Sequence, residues 1–138
     1  MEKNPTMMLV VAAALTNQVG EILLQKRPDG RSMAGLWEFP GGKVEKDESP
    51  EIALVRELDE ELGIRVDPTD LRPFAFASEA LGDRHLLLLL YICERWEGEP
   101  QPLDTPEIRW VAPAAMQALP MPPADKPLVV ALMKNPVR

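Results

Sequence analysis

The stretch GGKVEKDESPEIALVRELDEELGI, residues 41–64, carries the clearest structural pattern of the chain. Ser49 is a suitable N-cap, Pro50 suits the first helical position, and Gly63 is a typical residue for ending a helix. The stretch therefore predicts a helix over residues 50–62, around which the rest of the fold can be arranged.

This predicted helix has an acidic face beside an apolar one. At 100° per residue, Glu57, Glu60 and Glu61 fall within an arc of roughly 100°, apart from the leucines. Like charges at this spacing destabilise a helix, and Arg56 offsets only part of the repulsion. A solvated charged face is the ordinary explanation of such a run. The alternative is a divalent cation, because Mg²⁺ takes carboxylate oxygens and bridges them to phosphates.

Length and composition favour one compact domain over residues 1–138. The chain has 138 residues, of which 46% are hydrophobic. No apolar run approaches the ~18 residues that a membrane-spanning helix needs. We expect a soluble, cytoplasmic protein without membrane attachment. The single cysteine, Cys93, lies in an apolar run and is expected to fill the core.

The net charge of −7 disfavours binding to a nucleic acid polymer, which normally requires a basic surface. An acidic protein can still bind a small polyphosphate if divalent cations lie between the two sets of negative charges. The charge balance therefore also points to a metal site.

Hydrophobic patterning predicts the remaining elements. Two apolar segments, residues 7–15 and 21–26, predict a hairpin. A Pro-Gly-Gly turn at residues 40–42 should end a short strand and precede the acidic helix. We expect the other strands over residues 37–39, 72–78, 85–96 and 109–111, and a last helix from about residue 125.

The acidic helix and its flanks resemble the signature of the Nudix hydrolases, here called the Nudix box (residues 42–64). Every fixed position of that signature is filled, by Gly42, Glu48, Arg56, Glu57, Leu58, Glu60, Glu61, Gly63 and Ile64. Nine positions at fixed spacing make a specific motif. Four further stretches are similar to the MutT-like branch of the family, which extends the resemblance over nearly the whole chain: LWEFPGGK (36–43), DRH (83–85), ERWEGEP (94–100) and PPADKP (122–127).

The resemblance implies an α/β fold, the Nudix α/β/α sandwich, with a mixed β-sheet between helices. It also implies Mg²⁺-dependent hydrolysis of nucleoside triphosphates to a monophosphate and pyrophosphate, with Mn²⁺ as a substitute ion. In this branch the expected substrate is 8-oxo-dGTP, and the expected role is to clear oxidised nucleotides from the pool and so avoid mutations.

The resemblance further implies roles for individual residues. The expected metal ligands are Glu57, Glu60, Glu61, the backbone carbonyl of Gly41, and Asp104. Asp104 stands where the branch has a longer glutamate, so Glu107 nearby is a substitute candidate and a solvated loop acid is an equal alternative. Arg56 is expected to orient the box carboxylates, and Glu48 to be either its partner or a base.

The resemblance places the nucleotide base against a second group of residues. The expected contacts are Arg27, Glu38, Phe39, Arg84, Leu86 and Asp125. Asp125 replaces an asparagine of the branch, and an ionised aspartate only accepts hydrogen bonds whereas an amide also donates. It would suit a helix N-cap equally well. The lone histidine, His85, is expected to be packed or hydrogen-bonded rather than catalytic.

Other functions remain in competition at this stage. Within the family, Asp125 also favours hydrolysis of CTP or 5-substituted dCTP. Outside catalysis, a Nudix-like nucleotide-binding module and a cation-binding protein without nucleotide chemistry are the alternatives. The expected partner is a small nucleoside triphosphate, and the expected assembly is a monomer or a weak dimer.

Overall fold

The structure is a computed structural model that describes residues 5–137. The strands are β1 Thr6–Leu15, β2 Ile22–Lys26, β3 Trp37–Glu38, β4 Gly41–Lys43, β5 Arg72–Leu81, β6 Arg84–Cys93 and β7 Ile108–Val111. The helices are α1 Pro50–Leu62, α2 Pro113–Met116 and α3 Asp125–Lys134, with a 3-10 turn at Pro68–Asp70.

The strands form two sheets. The four-stranded sheet has the order β4-β1-β6-β5 and is mixed, because β1 and β6 run parallel while the other two pairs are antiparallel. The three-stranded sheet has the order β3-β2-β7 and is antiparallel throughout. The predicted mixed sheet is confirmed, and the antiparallel sheet stands beside it.

Strand β1 lies at the centre of the sandwich and is buried on both faces. Val11 and Ala13 pack into the core that includes the leucines of α1, while Ala12 and Ala14 pack into the core that includes the apolar residues of α3. A strand covered on both faces needs a continuous apolar run rather than an alternating one. The α/β/α sandwich is therefore confirmed.

Helix α1 begins and ends where the sequence predicts. The hydroxyl of Ser49 accepts a hydrogen bond from the N–H of Ile52, and Gly63 ends the helix with φ of 70° and its N–H on the carbonyl of Asp59. The leucines of α1 are fully buried. Packing of this face fixes the helix, so the carboxylates on its other side project from a rigid support.

One expectation for the first half of the chain is wrong, and another is right only in part. The segments predicted as a hairpin, β1 and β2, lie in different sheets and share only an isolated bridge between Thr16 and Ile22. The reason is that β4 and β6 already occupy both edges of β1. The Pro-Gly-Gly segment follows the end of β3, as predicted, but its glycines begin strand β4, which pairs with β1, instead of forming a turn. At Gly41 a Cβ would lie 1.9 Å from the carbonyl oxygen of Val11, so only glycine permits this approach.

The later elements follow the expected order. The strands expected over residues 72–78 and 85–96 are β5 and β6, and the last helix begins at Asp125. Cys93 is fully buried and fills the core, as predicted. The longest helix within residues 5–137 has 13 residues, and none there is long and apolar enough to cross a bilayer.

Candidate active site

Arg56 organises the acidic face of α1. Its Nε and Nη2 donate to the two carboxylate oxygens of Glu48 at 2.7 and 2.9 Å. Its Nη1 donates to Glu57 at 2.9 Å and to Glu60 at 3.4 Å, and Nη2 also reaches the carbonyl of Lys43 at 3.2 Å. One guanidinium thus relieves the repulsion between Glu57 and Glu60, which are two of the three carboxylates that the sequence places on this face.

Glu48 is fixed outside the N-terminus of α1. The hydrogen bonds from Arg56 and from the N–H of Glu45 lower its pKa to about 2. Glu48 therefore stays ionised at neutral pH, with both oxygens bound by Arg56. This geometry suits the orienting partner of Arg56 rather than a proton acceptor.

Glu57 lies against the backbone of β4. A Cβ on Gly42 would stand 2.4 Å from the carboxyl carbon of Glu57, so the glycine of the box provides the space for this carboxylate. Burial raises the pKa of Glu57, and the hydrogen bond from Arg56 opposes that rise. The sequence motif Gly42…Glu57 is therefore a direct steric pairing in the fold.

Glu61 is held more deeply, between the two sheets. Its Oε1 accepts from Nε2 of Gln25 at 3.2 Å, and its Oε2 accepts from the N–H of Gly41 at 3.1 Å. Burial, and next the charges of Glu57 and Glu38, raise the pKa of Glu61 to about 8. Without a cation this carboxyl is therefore largely protonated at neutral pH.

The three box carboxylates lie at different depths. The side chain of Glu57 is 16% exposed and that of Glu60 is 58% exposed. Across residues 5–137, no three acidic, histidine or cysteine side chains converge on one point. The three carboxylates are grouped on one helix face, and Arg56 forms ion pairs with two of them, Glu57 and Glu60.

A cleft of about 390 Å³ opens next to the box. This volume is within the range of pockets for small ligands, roughly 300–1,000 Å³. The structure brings all six predicted base-contacting residues into its lining: Arg27, Glu38, Phe39, Arg84, Leu86 and Asp125. Apolar side chains of β1 and β6 form much of the rest, with Met8, Val10 and Leu88 among them.

The polar side chains of the cleft include one ion pair and one buried acid. Arg27 forms an ion pair with Glu38 at 2.9 Å and donates to the carbonyl of Ser32 at 2.8 Å. Asp125 is 6% exposed, and one of its oxygens accepts from the N–H of Phe39 at 3.3 Å. Burial, and next the charge of Glu38, raise the pKa of Asp125 to about 7.

Asp125 is not the N-cap of the last helix. The N-cap position belongs to Ala124, and Asp125 is the first helical residue, with its carboxyl turned to the backbone of Phe39. The alternative that Asp125 serves as a helix cap is therefore wrong. What remains is a buried acid in the wall of the cleft.

Gly41 joins the box and the cleft. It lines the cleft, and its N–H donates to Glu61 of the box. A ligand in the cleft can therefore extend past β4 to the carboxylates of α1.

Two loop acids lie apart from these groups. Asp104 is exposed, next to Leu103, whose N–H donates to the carbonyl of Glu61 at 3.0 Å. Glu107 pairs with Arg109 at 3.4 Å. The loop thus reaches the C-terminal end of α1, and metal ligation by either acid stays a prediction.

The structure also adds residues that the sequence reasoning missed. Gln25 contacts Glu61, and the carbonyl of Lys43 accepts from Arg56. The change from three apolar residues to the polar pair Gln25 and Lys26 within β2 was the available signal for Gln25. His85 lies 2.5 Å from the hydroxyl of Ser78 through its Nε2, which confirms the hydrogen-bonded role expected for it.

Comparisons with known proteins agree with this geometry. The family model of the NUDIX domain matches residues 6–132. The chain is 36% identical over 125 residues to the 8-oxo-dGTP diphosphatase of Escherichia coli, covering 91% of this chain and 95% of that protein. It is 40% identical over 126 residues to the CTP pyrophosphohydrolase of the same species, covering 91% and 92%.

Solved structures show the same similarity. A solution structure of an Escherichia coli protein superposes with a TM-score of 0.84 at 39% identity, covering 94% of this chain and 91% of that chain. A MutT structure from work on Aliivibrio salmonicida and Vibrio cholerae superposes with a TM-score of 0.79 at 33% identity, covering 94% and 98%. The likeness therefore extends over the sandwich, the acidic helix and the cleft together.

Proposed function

We propose that 8-oxo-dGTP is the main substrate of this chain, which belongs to the Nudix family. The proposed reaction hydrolyses the nucleoside triphosphate to a monophosphate and pyrophosphate. The observation that carries the proposal is the junction at Gly41, where a cleft of nucleotide size meets the box carboxylates. The base would lie in the cleft and the triphosphate beside α1. Its role would be to remove oxidised precursors before they enter DNA.

The donor set fits a hard divalent cation, and divalent metals are general in this family. Glu57, Glu60 and Glu61 supply carboxylate oxygens, which Mg²⁺ prefers, and the missing Cβ of Gly42 leaves space for the first of them. The carbonyl of Gly41 and the carboxylate of Asp104 are further candidate ligands. When bound, Mg²⁺ neutralises charge on the phosphate oxygens and makes the attacking water more acidic.

The protein's own groups would position rather than react covalently. Water attacks the β phosphorus, and the bond from that phosphorus to the α–β bridging oxygen breaks. The nucleoside monophosphate leaves with that oxygen, and the water's oxygen remains on the pyrophosphate. Arg56, held by Glu48, would keep Glu57 and Glu60 oriented toward the phosphates. An acidic residue of the box would accept the water's proton.

Asp125 would read the base. When ionised it accepts a hydrogen bond, which suits the N7 hydrogen of 8-oxoguanine. Because Asp125 is buried, a base that offers it no donor would bind less favourably. Arg27 and Glu38 form the polar edge of the same cleft. Arg84 and Leu86 would contact the base from β6.

The same acceptor supports a second substrate class. The N4 amino group of cytosine also donates to a carboxylate, and the relative named as a CTP pyrophosphohydrolase is 40% identical. Hydrolysis of CTP or 5-substituted dCTP is therefore the alternative. A non-catalytic nucleotide-binding module is disfavoured because all the acidic positions of the box are retained.

Pyrophosphate release from a panel of nucleoside triphosphates tests the proposal. The protein is incubated in Mg²⁺ with normal, oxidised and 5-substituted nucleotides, and again with EDTA. Release that is fastest with 8-oxo-dGTP and absent with EDTA is expected. Fastest release from CTP would favour the alternative substrate, and binding without release would favour the non-catalytic module.

The same proposal covers the setting of the enzyme. We take residues 1–138 as one domain that acts in the cytoplasm, as a monomer or weak dimer, without a membrane or a nucleic acid polymer. A net charge of −7 supports the last point. Sedimentation of the purified protein would test the assembly state.

A further inference from the structure

Gln25 is a buried polar residue on the central strand of the antiparallel sheet. Its relative exposure is 4%, and it follows three fully buried apolar residues of β2. It pairs with Glu38 of β3 on one side and Ile108 of β7 on the other, so its backbone is fixed. The side chain therefore occupies a defined position beside α1.

The amide of Gln25 and the backbone of Gly41 hold the same carboxylate from two sheets. Nε2 of Gln25 donates to one oxygen of Glu61 at 3.2 Å, and the N–H of Gly41 donates to the other at 3.1 Å. Gln25 belongs to the antiparallel sheet and Gly41 to the mixed one. With one donor on each oxygen, the rotation of the Glu61 carboxylate is fixed.

The other end of the Gln25 amide has no partner. Its Oε1 is buried and accepts no hydrogen bond from any residue of the range 5–137. A buried acceptor without a donor lowers the stability of a fold, and this cost offsets the gain from the hydrogen bond that the same amide donates to Glu61. Stability alone therefore does not explain a glutamine at this position.

We propose that Gln25 is a positioning residue for the divalent cation, acting through the carboxylate of Glu61. The proposal rests on the proposed function, since it assigns Glu61 to the cation. Groups that hydrogen-bond to metal ligands orient them, and their loss costs about 10–100-fold in metal affinity. Gln25 thus favours cation binding without a net gain in fold stability.

Gln25→Met tests this, because methionine has a similar length and no polar atoms. Mn²⁺ is titrated into the protein without nucleotide and the free ion is measured by electron paramagnetic resonance. The variant should bind Mn²⁺ about 10–100-fold more weakly than the wild type. Its Tm without metal should stay close to that of the wild type, because removing the unpaired Oε1 offsets the lost hydrogen bond to Glu61.

Leu23→Met is the matched control. Leu23 is fully buried on the same strand, and it packs in the core that includes the leucines of α1. Replacing leucine by methionine conserves volume and is usually well tolerated in a core. Its Mn²⁺ affinity should match the wild type. In a Glu61→Gln background, Gln25→Met should cause no further loss, because the carboxylate on which it acts is gone.

Each other outcome has a defined meaning. Unchanged Mn²⁺ affinity in Gln25→Met would overturn the inference. A clearly lowered Tm in both Gln25→Met and Gln25→Leu would also overturn it, because the amide would then have a structural role. If the wild type neither binds Mn²⁺ nor releases pyrophosphate, the proposed function fails as well. If the wild type does both and Gln25→Met binds equally well, only the role of Gln25 fails.

Discussion

The Nudix box and the cleft each contain an acid whose pKa is raised into the neutral range, but the two regions are assembled differently. In the box, Glu61 lies on α1 within one continuous stretch of residues 42–64. In the cleft, Asp125 comes from the last helix and faces Phe39, far from it in sequence. Glu38 lies between them, and its charge contributes to the raised pKa of both acids.

This difference separates the chemistry from the choice of substrate. The box presents charged oxygens on a single helix, where any triphosphate would be treated alike. The cleft presents an apolar wall with one buried acid, where bases differ in their hydrogen-bonding edges. Changes in the box should therefore lower turnover for every nucleotide, while changes in the cleft should alter the preference among nucleotides.

The largest expected effect is that of Glu57→Gln in the box. Removing the charge that we propose binds the cation should lower kcat by at least about two orders of magnitude for every nucleotide tested. The fold should remain intact, because the amide still fits beside Gly42. Steady-state pyrophosphate release and thermal unfolding check both points.

Asp59→Asn is the control for this variant. Asp59 is an exposed acid of the same helix outside the set of box residues. Its loss should leave kcat within about two-fold, as expected for a surface substitution away from the site. Near-normal activity of Glu57→Gln in Mg²⁺ would remove the box from the reaction.

Gly42→Ala should have the next largest effect. The added methyl group would stand where the carboxylate of Glu57 now lies, at 2.4 Å from its carboxyl carbon. Displacing that carboxylate should lower kcat about 10–100-fold, since small misplacements of catalytic groups cost roughly this much. In a Glu57→Gln background the further loss should be much smaller. Full additivity of the two losses would show that Gly42 acts elsewhere.

The same contrast explains which parts of the molecule the sequence predicts. The box helix is predicted to the residue because Ser49, Pro50 and Gly63 are local signals with local consequences. The predicted hairpin does not form because pairing depends on strands further along the chain, and β4 and β6 take both edges of β1. The neighbours of Asp125 depend on tertiary packing in the same way, so its burial was not predictable from local pattern.

Asp125→Asn should alter the preference of the cleft. The amide donates as well as accepts, whereas the ionised carboxylate only accepts. We expect the ratio of kcat/KM for 8-oxo-dGTP and CTP to change about 10-fold, while kcat on the better substrate changes little. Competition assays with both nucleotides measure this ratio, with Asp59→Asn again as the control. An unchanged ratio would exclude Asp125 from base recognition.

The smallest expected effect is on stability, and it isolates the buried acid of the cleft. Burial, with the charge of Glu38, raises the pKa of Asp125 from 3.8 to about 7. The folded protein then binds this proton more tightly than the unfolded chain, so Asp125 favours folding below about pH 4 and loses that contribution as pH rises through about 7.

Asparagine at position 125 has no charge to bury, and its amide oxygen can still accept the hydrogen bond from the N–H of Phe39. Asp125→Asn should therefore raise the Tm of the metal-free protein on the order of 5 °C at alkaline pH, with a smaller difference near pH 4. Glu61 also titrates in this range, but it is common to both proteins and cancels in the difference. A Tm difference between the two proteins that is the same at every pH would mean that Asp125 ionises as freely as an exposed acid, so that its burial in the cleft has no electrostatic consequence.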